Sequence, residues 1–347
     1  MVDATYDVTA LVGHHYRVDD YYEVGREKVR EYARAVQEDH PAHWTEKAAA
    51  ELGYSGLVAP TTFVSIPAML ANRRLFESVI TGYNGYLQTD QVFELYKPLI
   101  AGDRLVSDVE LESVRQVAGK DLLTVKNTFT DQNGEVVHVM HTTVVGLTTE
   151  DVAAEVGDAM SRVVMHGVEL LASATNPEVA ASNGKATDST PRAATTVSDF
   201  SRTRKPQTAV RFEDLAVGFE LPTREARLTR GDLVNYAGVS GDPNPIHWHD
   251  EIAALSGLPD VIAHGMLTMG LGAGFITDWL GDPGALTRYG VRLSNYAIVE
   301  AKTAGDLEFT GRVKSLDPET RTAVLVITAK SAGRKIFGLA TADIRLA

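Results

Sequence analysis

The chain of 347 residues contains no cysteine. This absence excludes disulfides, thiolate nucleophiles and cysteine-ligated zinc together. Any chemistry that the protein performs must therefore use carboxylates, imidazoles, hydroxyls and backbone dipoles. These are the groups that carry out proton transfer in proteins.

Excess positive charge and long apolar runs are also absent. The 33 Lys and Arg residues are outnumbered by 46 Asp and Glu, which gives a net charge of -13. This balance argues against a nucleic-acid partner, because duplex binding depends on neutralising phosphates. No apolar run approaches the roughly 20 residues that a membrane span requires, and residues 1–4 do not begin a signal peptide. We therefore expect no membrane span and a cytoplasmic location.

The hydrophobic pattern indicates two similar α+β domains. In the first, residues 1–150, an amphipathic helix over residues 23–36 is followed by a helix from Trp44 and by an apolar helix over residues 56–70. Alternating strands then run to residue 147. In the second, residues 208–347, helices over residues 230–237 and 267–280 again precede strands. Between them we predict a helix over residues 151–171 and a flexible linker over residues 172–207 with little ordered structure.

The two domains share a register, which predicts an internal repeat. Aligning Tyr32 with Tyr236 without gaps superimposes two acid and imidazole pairs. The matched pairs are Glu38 with Asp242 and His43 with His247, flanked by Ala33 with Ala237, Pro41 with Pro245 and Trp44 with Trp248. We therefore predict two copies of one unit in a single chain.

The copies differ where a site would need particular residues. The first copy replaces Gly241 by Gln37, Asn244 by His40, and the pair His264 and Gly265 by Pro60 and Thr61. Since proline has no N–H and threonine lacks the conformational freedom of glycine, we predict one working site, in the second copy. Glu38 and His43 keep their spacing and define a degenerate second site. The alternative is that His43 is a structural or surface residue.

The stretch over residues 236–266 is the centre of the prediction. Pro243 and Pro245 prevent Asp242 and His247 from lying on a continuous helix, so the two side chains are expected on a rigid loop. Tyr236, Val239, Ser240, Gly241, Asp242, Asn244, Pro245, Ile246, His247 and Ala253 together resemble the signature of the MaoC-like family of (R)-specific hydratases and dehydratases. The whole chain, outside the linker, resembles a fused HadA/HadB-type (3R)-hydroxyacyl-ACP dehydratase.

This resemblance implies a double hot-dog fold, in which each unit is an antiparallel sheet wrapped around a central helix. It also implies that the degenerate first unit accommodates the acyl chain. His247 is the main candidate for proton transfer, and Asp242 for activating the water or hydroxyl group. By match to the family, the Gly265 N–H stabilises the thioester oxyanion. Asn244, His264 and Met266 are expected to contact the substrate, although His264 better fits a structural than a catalytic role.

The same residues also fit other interpretations. Asp242 and Asn244 could simply cap turns, with the histidines solvated. His247 and His249 are two residues apart with no further clustered ligand in the sequence, so we predict no metal site and no cofactor. Pairing of double hot-dogs into a homodimer is compatible with the resemblance.

The predicted reaction is reversible dehydration of (3R)-3-hydroxyacyl thioesters to trans-2-enoyl thioesters. We favour an acyl carrier protein as the thioester carrier, in fatty acid or mycolic-type elongation. The first alternative is an (R)-specific enoyl-CoA hydratase. The second, from another class, is a non-catalytic acyl-thioester-binding protein, against which the intact Asp242 and His247 argue.

Overall fold

The structure, a computed structural model, describes residues 7–152, 154–164 and 196–347. A 13-stranded sheet forms its framework, with the order β1-β4-β5-β6-β3-β9-β13-β11-β10-β8 along the main path. The strands are β1 His15–Arg17, β2 Tyr22–Glu23, β3 Gly85–Leu95, β4 Arg104–Val117, β5 Lys120–Thr130, β6 Glu135–Leu147, β7 Thr196–Val197, β8 Arg224–Leu228, β9 Leu286–Leu293, β10 Gly305–Asp317, β11 Thr322–Ser331, β12 Arg334–Lys335 and β13 Phe337–Arg345.

The strand order is the same in both halves when it is read outward from the centre. Strands β3, β6, β5 and β4 of the first half correspond to β9, β13, β11 and β10 of the second. The halves meet at the antiparallel β3 and β9 pair, where Asp90 lies opposite Arg292 and their side chains approach to 2.9 Å. The predicted repeat is therefore also a structural repeat, and the fold is the predicted α+β double hot-dog.

The helices lie against this sheet. They are α1 Arg26–Ala35, α2 Glu46–Glu51, α3 Ser65–Arg74, α4 Ala154–Ser161, α5 Phe200–Thr203, α6 Arg230–Ser240, α7 Asp250–Leu255 and α8 Gly265–Leu280. The main hydrophobic core crosses between the halves, joining Tyr32 and Phe63 to Tyr236 and Phe309. Because this cluster takes residues from both halves, each half buries part of its apolar surface against the other. No described helix is long and apolar enough to cross a bilayer.

Helix α8 is the buried central helix of the second half, and its glycines permit close packing. A Cβ on Gly272 would lie 2.5 Å from the Tyr289 hydroxyl oxygen, on the sheet side. A Cβ on Gly270 would lie 2.5 Å from Val36 Cγ1, in the first half. These small residues therefore admit both the sheet and the other half of the molecule.

The corresponding helix of the first half starts later than the predicted helix over residues 56–70. Helix α3 begins only at Ser65 and spans 10 residues, against 16 for α8. Residues 61–64 form a turn, because Pro67 has no N–H to bond the Phe63 carbonyl and is tolerated only in the first turn of a helix. A π-helical turn, Leu75–Val79, follows α3.

Two predictions about irregular regions need correction. The last part of the predicted flexible linker is ordered, because β7 pairs with β6, and Arg204 forms a 2.8 Å ion pair with the buried Asp282. Its alternation-free sequence gave no sign of these contacts. The predicted helix over residues 151–171 is seen as α4, and the rest of it beyond residue 164, with linker residues 172–195, lies outside the described residues. Before α1, the chain forms the short strands β1 and β2.

Candidate active site

The loop that carries Asp242 is fixed by its own side chains. Helix α6 ends at Gly241, which has a left-handed φ of 78° that glycine adopts without strain. The Asp242 carboxylate accepts a hydrogen bond from the Asn244 N–H at 3.2 Å, and the Asn244 side-chain oxygen accepts one from the Ile246 N–H at 3.2 Å. Asn244 thereby caps the short 3-10 helix Pro245–His247. The predicted rigid loop is present, and Asn244 holds it.

His247 is buried, and its tautomer is set by the backbone. Its Nδ1 lies 2.8 Å from the carbonyl oxygen of Ile262, which can only accept, so Nδ1 donates. Nε2 therefore carries the lone pair. Burial lowers the pKa of His247, while the Asp242 carboxylate and the Ile262 carbonyl oppose that shift. A neutral imidazole with a free Nε2 can accept a proton near neutral pH.

His264 completes a three-residue cluster. Its ring stacks on that of His247 with the centroids 3.8 Å apart, and the Tyr236 ring lies 4.9 Å away on another side. One ligand atom from each of Asp242, His247 and His264 lies within 4.8 Å of the other two. Burial and the adjacent His247 hold the pKa of His264 well below 6.5, despite an opposing contribution from the Asp242 backbone. Its imidazole is thus neutral.

Gly265 starts helix α8 beside this cluster. As the first helical residue, Gly265 has no intrahelical acceptor for its N–H. The positive end of the helix dipole lies at the same place. A Cβ here would come 2.6 Å from Leu293 Cδ1, so a side chain at this position would require Leu293 to move. The geometry provides a donor suited to an oxyanion next to two proton-transfer groups.

The first half also contributes to this region. The Met266 sulfur lies 3.6 Å from Gln88 Nε2, on β3. The Gln88 side-chain amide in turn donates a hydrogen bond to the side-chain oxygen of Gln91 at 2.9 Å. Sequence patterns gave no signal for Gln88, since a glutamine on an alternating strand is ordinary. The tertiary fold alone brings it to the site.

In the first copy, the equivalent acid and imidazole form a closed pair. Glu38 Oε1 lies 3.1 Å from His43 Nε2, and both side chains are almost completely buried. The Thr277 hydroxyl of α8 donates to the same carboxylate oxygen at 2.6 Å. A Cβ on Gly274 would lie 3.4 Å from Glu38 Cγ, so the helix covers the pair directly. Asp242, by contrast, is only half-buried.

The local backbone is preserved even where the residues differ. Gln37, which replaces Gly241, adopts the same left-handed region with a φ of 51°. His40, which replaces Asn244, accepts from the Ala42 N–H at 3.2 Å through Nδ1 and caps the equivalent 3-10 helix. Neither of these two substitutions therefore changes the backbone conformation between the copies. The remaining difference is at Pro60 and Thr61, where His264 and Gly265 stand in the second copy.

Comparisons with known proteins agree with this architecture. Residues 10–140 match the FAS1-like, dehydratase domain region, and residues 214–329 match the MaoC like domain. A UPF0336 protein of Mycolicibacterium paratuberculosis is 46% identical over 145 residues, covering 41% of this chain and 91% of that protein. A UPF0336 protein of Mycobacterium tuberculosis is 43% identical over 143 residues, covering 41% and 90%.

A solved structure described as a MaoC-like dehydratase is 56% identical and covers 98% of this chain and all of the other, with a TM-score of 0.91. The chain belongs to the MaoC-like dehydratase family. It is accordingly an enzyme of the hydratase and dehydratase class. A Mycobacterium tuberculosis protein with a double hot-dog fold is 14% identical, with a TM-score of 0.62, and covers 96% of both chains; this likeness concerns the fold.

Within the MaoC-like fold, the candidate residues divide into two groups. Asp242, His247 and His264 converge in space, and Gly265 follows His264 directly. Glu38 and His43 converge separately, in the other copy. The convergence of His264 on His247 was not expected from sequence. The paired histidines lie in different segments, and only the fold stacks them.

Proposed function

We propose that the second half of the chain catalyses reversible dehydration of (3R)-3-hydroxyacyl thioesters to trans-2-enoyl thioesters. The observation that carries this proposal is the meeting of Asp242, neutral His247 and the first turn of α8 at Gly265. An acid and a base side by side can exchange protons at two neighbouring carbons. A helix N-terminus next to them can stabilise the charge that develops on the thioester oxygen.

The proton balance follows from the chemistry of dehydration. The bond between C2 and its proton breaks, the double bond forms, and the C3 hydroxyl leaves as water after gaining a proton. The pair of Asp242 and His247 accepts the first proton and supplies the second, so it returns to its starting charge. His247 Nε2 is the principal proton acceptor, and Asp242 orients the hydroxyl or water. The Gly265 N–H donates to the thioester oxygen while its charge is greatest.

Two roles are assigned around this centre. Asn244 positions Asp242 and His247 by holding the loop, and Met266, with Gln88, lines the approach of the substrate. We assign no reaction to Glu38 and His43, because the C-terminal half of α8 covers them. That assignment leaves one working site in each chain.

The first half is proposed to hold the acyl chain. In the repeat, Leu70 takes the place of Gly274, which packs on Glu38, so Leu70 is expected to face Asp242. Leu70 is 42% exposed, and α3 is shorter than α8. An apolar residue left exposed beside a half-buried acid is suited to contact an aliphatic chain.

The carrier is proposed to be an acyl carrier protein in fatty acid elongation, supported by the FAS1-like dehydratase match over residues 10–140. The test is hydration of trans-2-enoyl thioesters of several chain lengths, presented on CoA and on carrier protein. We expect (3R) product from both carriers, with higher kcat/KM for long chains on carrier protein. A strong preference for short CoA esters would instead support the enoyl-CoA hydratase. No turnover of any thioester would contradict the whole proposal.

Replacing Gly265 by Ala tests the proposed oxyanion donor. The added Cβ would contact Leu293, and under the proposed role of the Gly265 N–H it would also stand where the thioester oxygen must approach. We expect kcat/KM to fall by about 10²-fold, as for a reacting group displaced by about 1 Å. The double variant Gly265→Ala and Leu293→Ala removes the internal contact but keeps the obstruction to substrate. Full recovery of activity in the double variant would show that the loss came from packing.

A further inference from the structure

We infer that Tyr32 and Tyr236 form a hydroxyl pair that positions the proton-transfer group His247, so that the first half of the chain contributes to the reaction through Tyr32. The two tyrosines hold equivalent positions in the two copies of the repeat. The inference rests on the proposed function, because it concerns the placement of His247 in that reaction. Both tyrosines act through other residues and are positioning residues.

The two tyrosines meet where the halves of the molecule join. Tyr32 lies on α1 and Tyr236 on α6, and their ring centroids are 6.2 Å apart at an interplanar angle of 52°. Both side chains are buried. Equivalent residues of two copies can contact each other only near the axis that relates the copies. The pair therefore lies close to the axis of the internal repeat, away from solvent.

The hydroxyl groups of this pair form a chain that ends in the first half. The Tyr32 hydroxyl donates to the Thr62 carbonyl oxygen at 3.0 Å. A hydroxyl group has one hydrogen, so Tyr32 accepts in its hydrogen bond with the Tyr236 hydroxyl. Burial raises the pKa of Tyr236 well above 10, so Tyr236 keeps the proton that it donates.

The polar side chains around the pair belong to the first copy alone. Thr62 Oγ1 lies 3.1 Å and Ser65 Oγ 3.3 Å from the Tyr32 hydroxyl oxygen, and Ser65 is also hydrogen-bonded to Tyr236. In the repeat register, Met266 and Met269 stand at these two positions. A methionine sulfur is at best a weak acceptor. The hydroxyl pair is therefore anchored from the first half.

The Tyr236 ring contacts the candidate active site. Its centroid lies 4.9 Å from that of the His264 ring, which stacks on the His247 ring at 3.8 Å. His264 is also hydrogen-bonded to the backbone of Asp242. Tyr236 thus limits the movement of a ring that contacts both proposed proton-transfer residues. Because its hydroxyl is fixed by Tyr32, the Tyr236 ring cannot tilt freely away from His264.

The equivalent tyrosine has different neighbours in the first copy. Pro60 stands there in place of His264, and the Tyr32 ring packs edge-on against Phe63 with the centroids 5.5 Å apart. Tyr32 therefore packs in the core and contacts the site only through its partner. The two copies have divided one pair between them, since Tyr236 contacts the site and Tyr32 supports Tyr236.

The experiment compares Tyr32→Phe and Tyr236→Phe with the parent in enoyl-thioester hydration, each variant losing one hydroxyl and keeping its ring. Displacing a reacting group by about 1 Å can cost about 10²-fold; for a smaller shift we expect kcat to fall about tenfold, with KM within about twofold of the parent. The double variant should be no slower than the slower single variant, because the two hydroxyls act as one unit. Additive losses in the double variant would contradict the pair.

Two other buried tyrosines provide matched controls. The Tyr289 hydroxyl has no hydrogen-bond partner among the residues that the structure describes, so Tyr289→Phe should keep the parent kcat. The Tyr54 hydroxyl donates to Asp282 at 2.6 Å, so Tyr54→Phe should lower the unfolding temperature and keep the parent kcat. Tyr54→Phe thus separates a loss of stability from a loss of position.

A second measurement needs no turnover. Proton NMR of the full chain labelled at histidine should show the His264 ring signals shifted in both test variants and unchanged in Tyr54→Phe. Parent kcat in folded Tyr32→Phe or Tyr236→Phe, or His264 signals that do not move, would overturn the inference. If one of these variants does not fold, the other decides. If the parent hydrates no thioester, the proposed reaction fails, and the NMR comparison still decides the positioning.

Discussion

Asp242→Asn and His247→Ala should each lower kcat for enoyl-thioester hydration by about 10²- to 10⁴-fold, the usual contribution of a positioned acid or base. The reason is that both proton transfers pass through this one pair. The double variant should be little slower than the worse single variant, because residues that act as a unit are strongly non-additive. The measurement is the steady-state rate with a trans-2-enoyl thioester at saturating concentration.

The matched control is His249→Ala, which removes an imidazole two residues from His247 and outside the cluster. It should retain the parent rate. Both test variants should keep the parent circular dichroism spectrum, so that a loss of rate is not a loss of fold. If Asp242→Asn and His247→Ala instead hydrate at the parent rate, the chemistry lies elsewhere and the assignment of this site is wrong.

Glu38→Ala should lower the free energy of unfolding by about 3–5 kcal/mol, the cost of leaving one member of a buried ion pair without its partner. His43 would remain fully buried, and the Thr277 hydroxyl would lose its acceptor. Thr277→Val should cost less, about 1.5–3 kcal/mol, the range for a hydrogen bond to a charged group. Urea denaturation, followed to completion, measures both. The double variant Glu38→Leu and His43→Leu should recover part of the loss.

The pH dependence of the Glu38 effect has a defined sign. Burial alone would raise the pKa of Glu38, but His43 and Thr277 hold it below 4.5. Burial alone would lower the pKa of His43, but Glu38 and the Val58 carbonyl hold it above 6.5. The carboxylate contribution is lost as pH falls through the lowered pKa, and the imidazolium contribution as pH rises through the raised pKa. The stability difference between parent and Glu38→Ala should therefore be largest between pH 4.5 and 6.5.

Catalysis provides the contrasting result for this variant. Because α8 covers Glu38, folded Glu38→Ala should turn over substrate at a rate within a few-fold of the parent. A loss of rate as large as that of Asp242→Asn, in a protein that remains folded, would show that the first copy takes part in the reaction.

Much of the fold was predictable because its signals are local. The alternation of strands β3 to β6 and the capping residues of α6, where Thr229 and Asp232 form a capping box, are written in neighbouring residues. The start of α3 was predicted too early, since the apolar run over residues 56–70 hid the effect of the mostly β-branched residues 61–64 and of Pro67, which restricts the helix to a start at Ser65. The order in residues 196–207 depends on distant partners such as Asp282, which no local pattern reveals.

The candidate site shows the same division. Asp242 and His247 were identifiable because they lie only five positions apart and the two prolines between them restrict the backbone that joins them. Gly265 was identifiable only by resemblance. The stacking of His264 on His247 and the contact of Gln88 with Met266 arise from long-range packing. The role of the Gly241 to Gln37 change was overestimated, because a non-glycine residue occupies the same left-handed conformation in the first copy.

The cover that α8 places over Glu38 and His43 has a consequence for how such chains are recognised. After a gene duplication, one copy can keep an acid and a histidine for packing alone. Here the buried pair stabilises the contact between the two halves. A genome search for an acid and a histidine at this spacing would therefore count two active sites in a chain for which we propose one. The position held by Pro60 in one copy and His264 in the other is the better marker of the copy that we propose to be active.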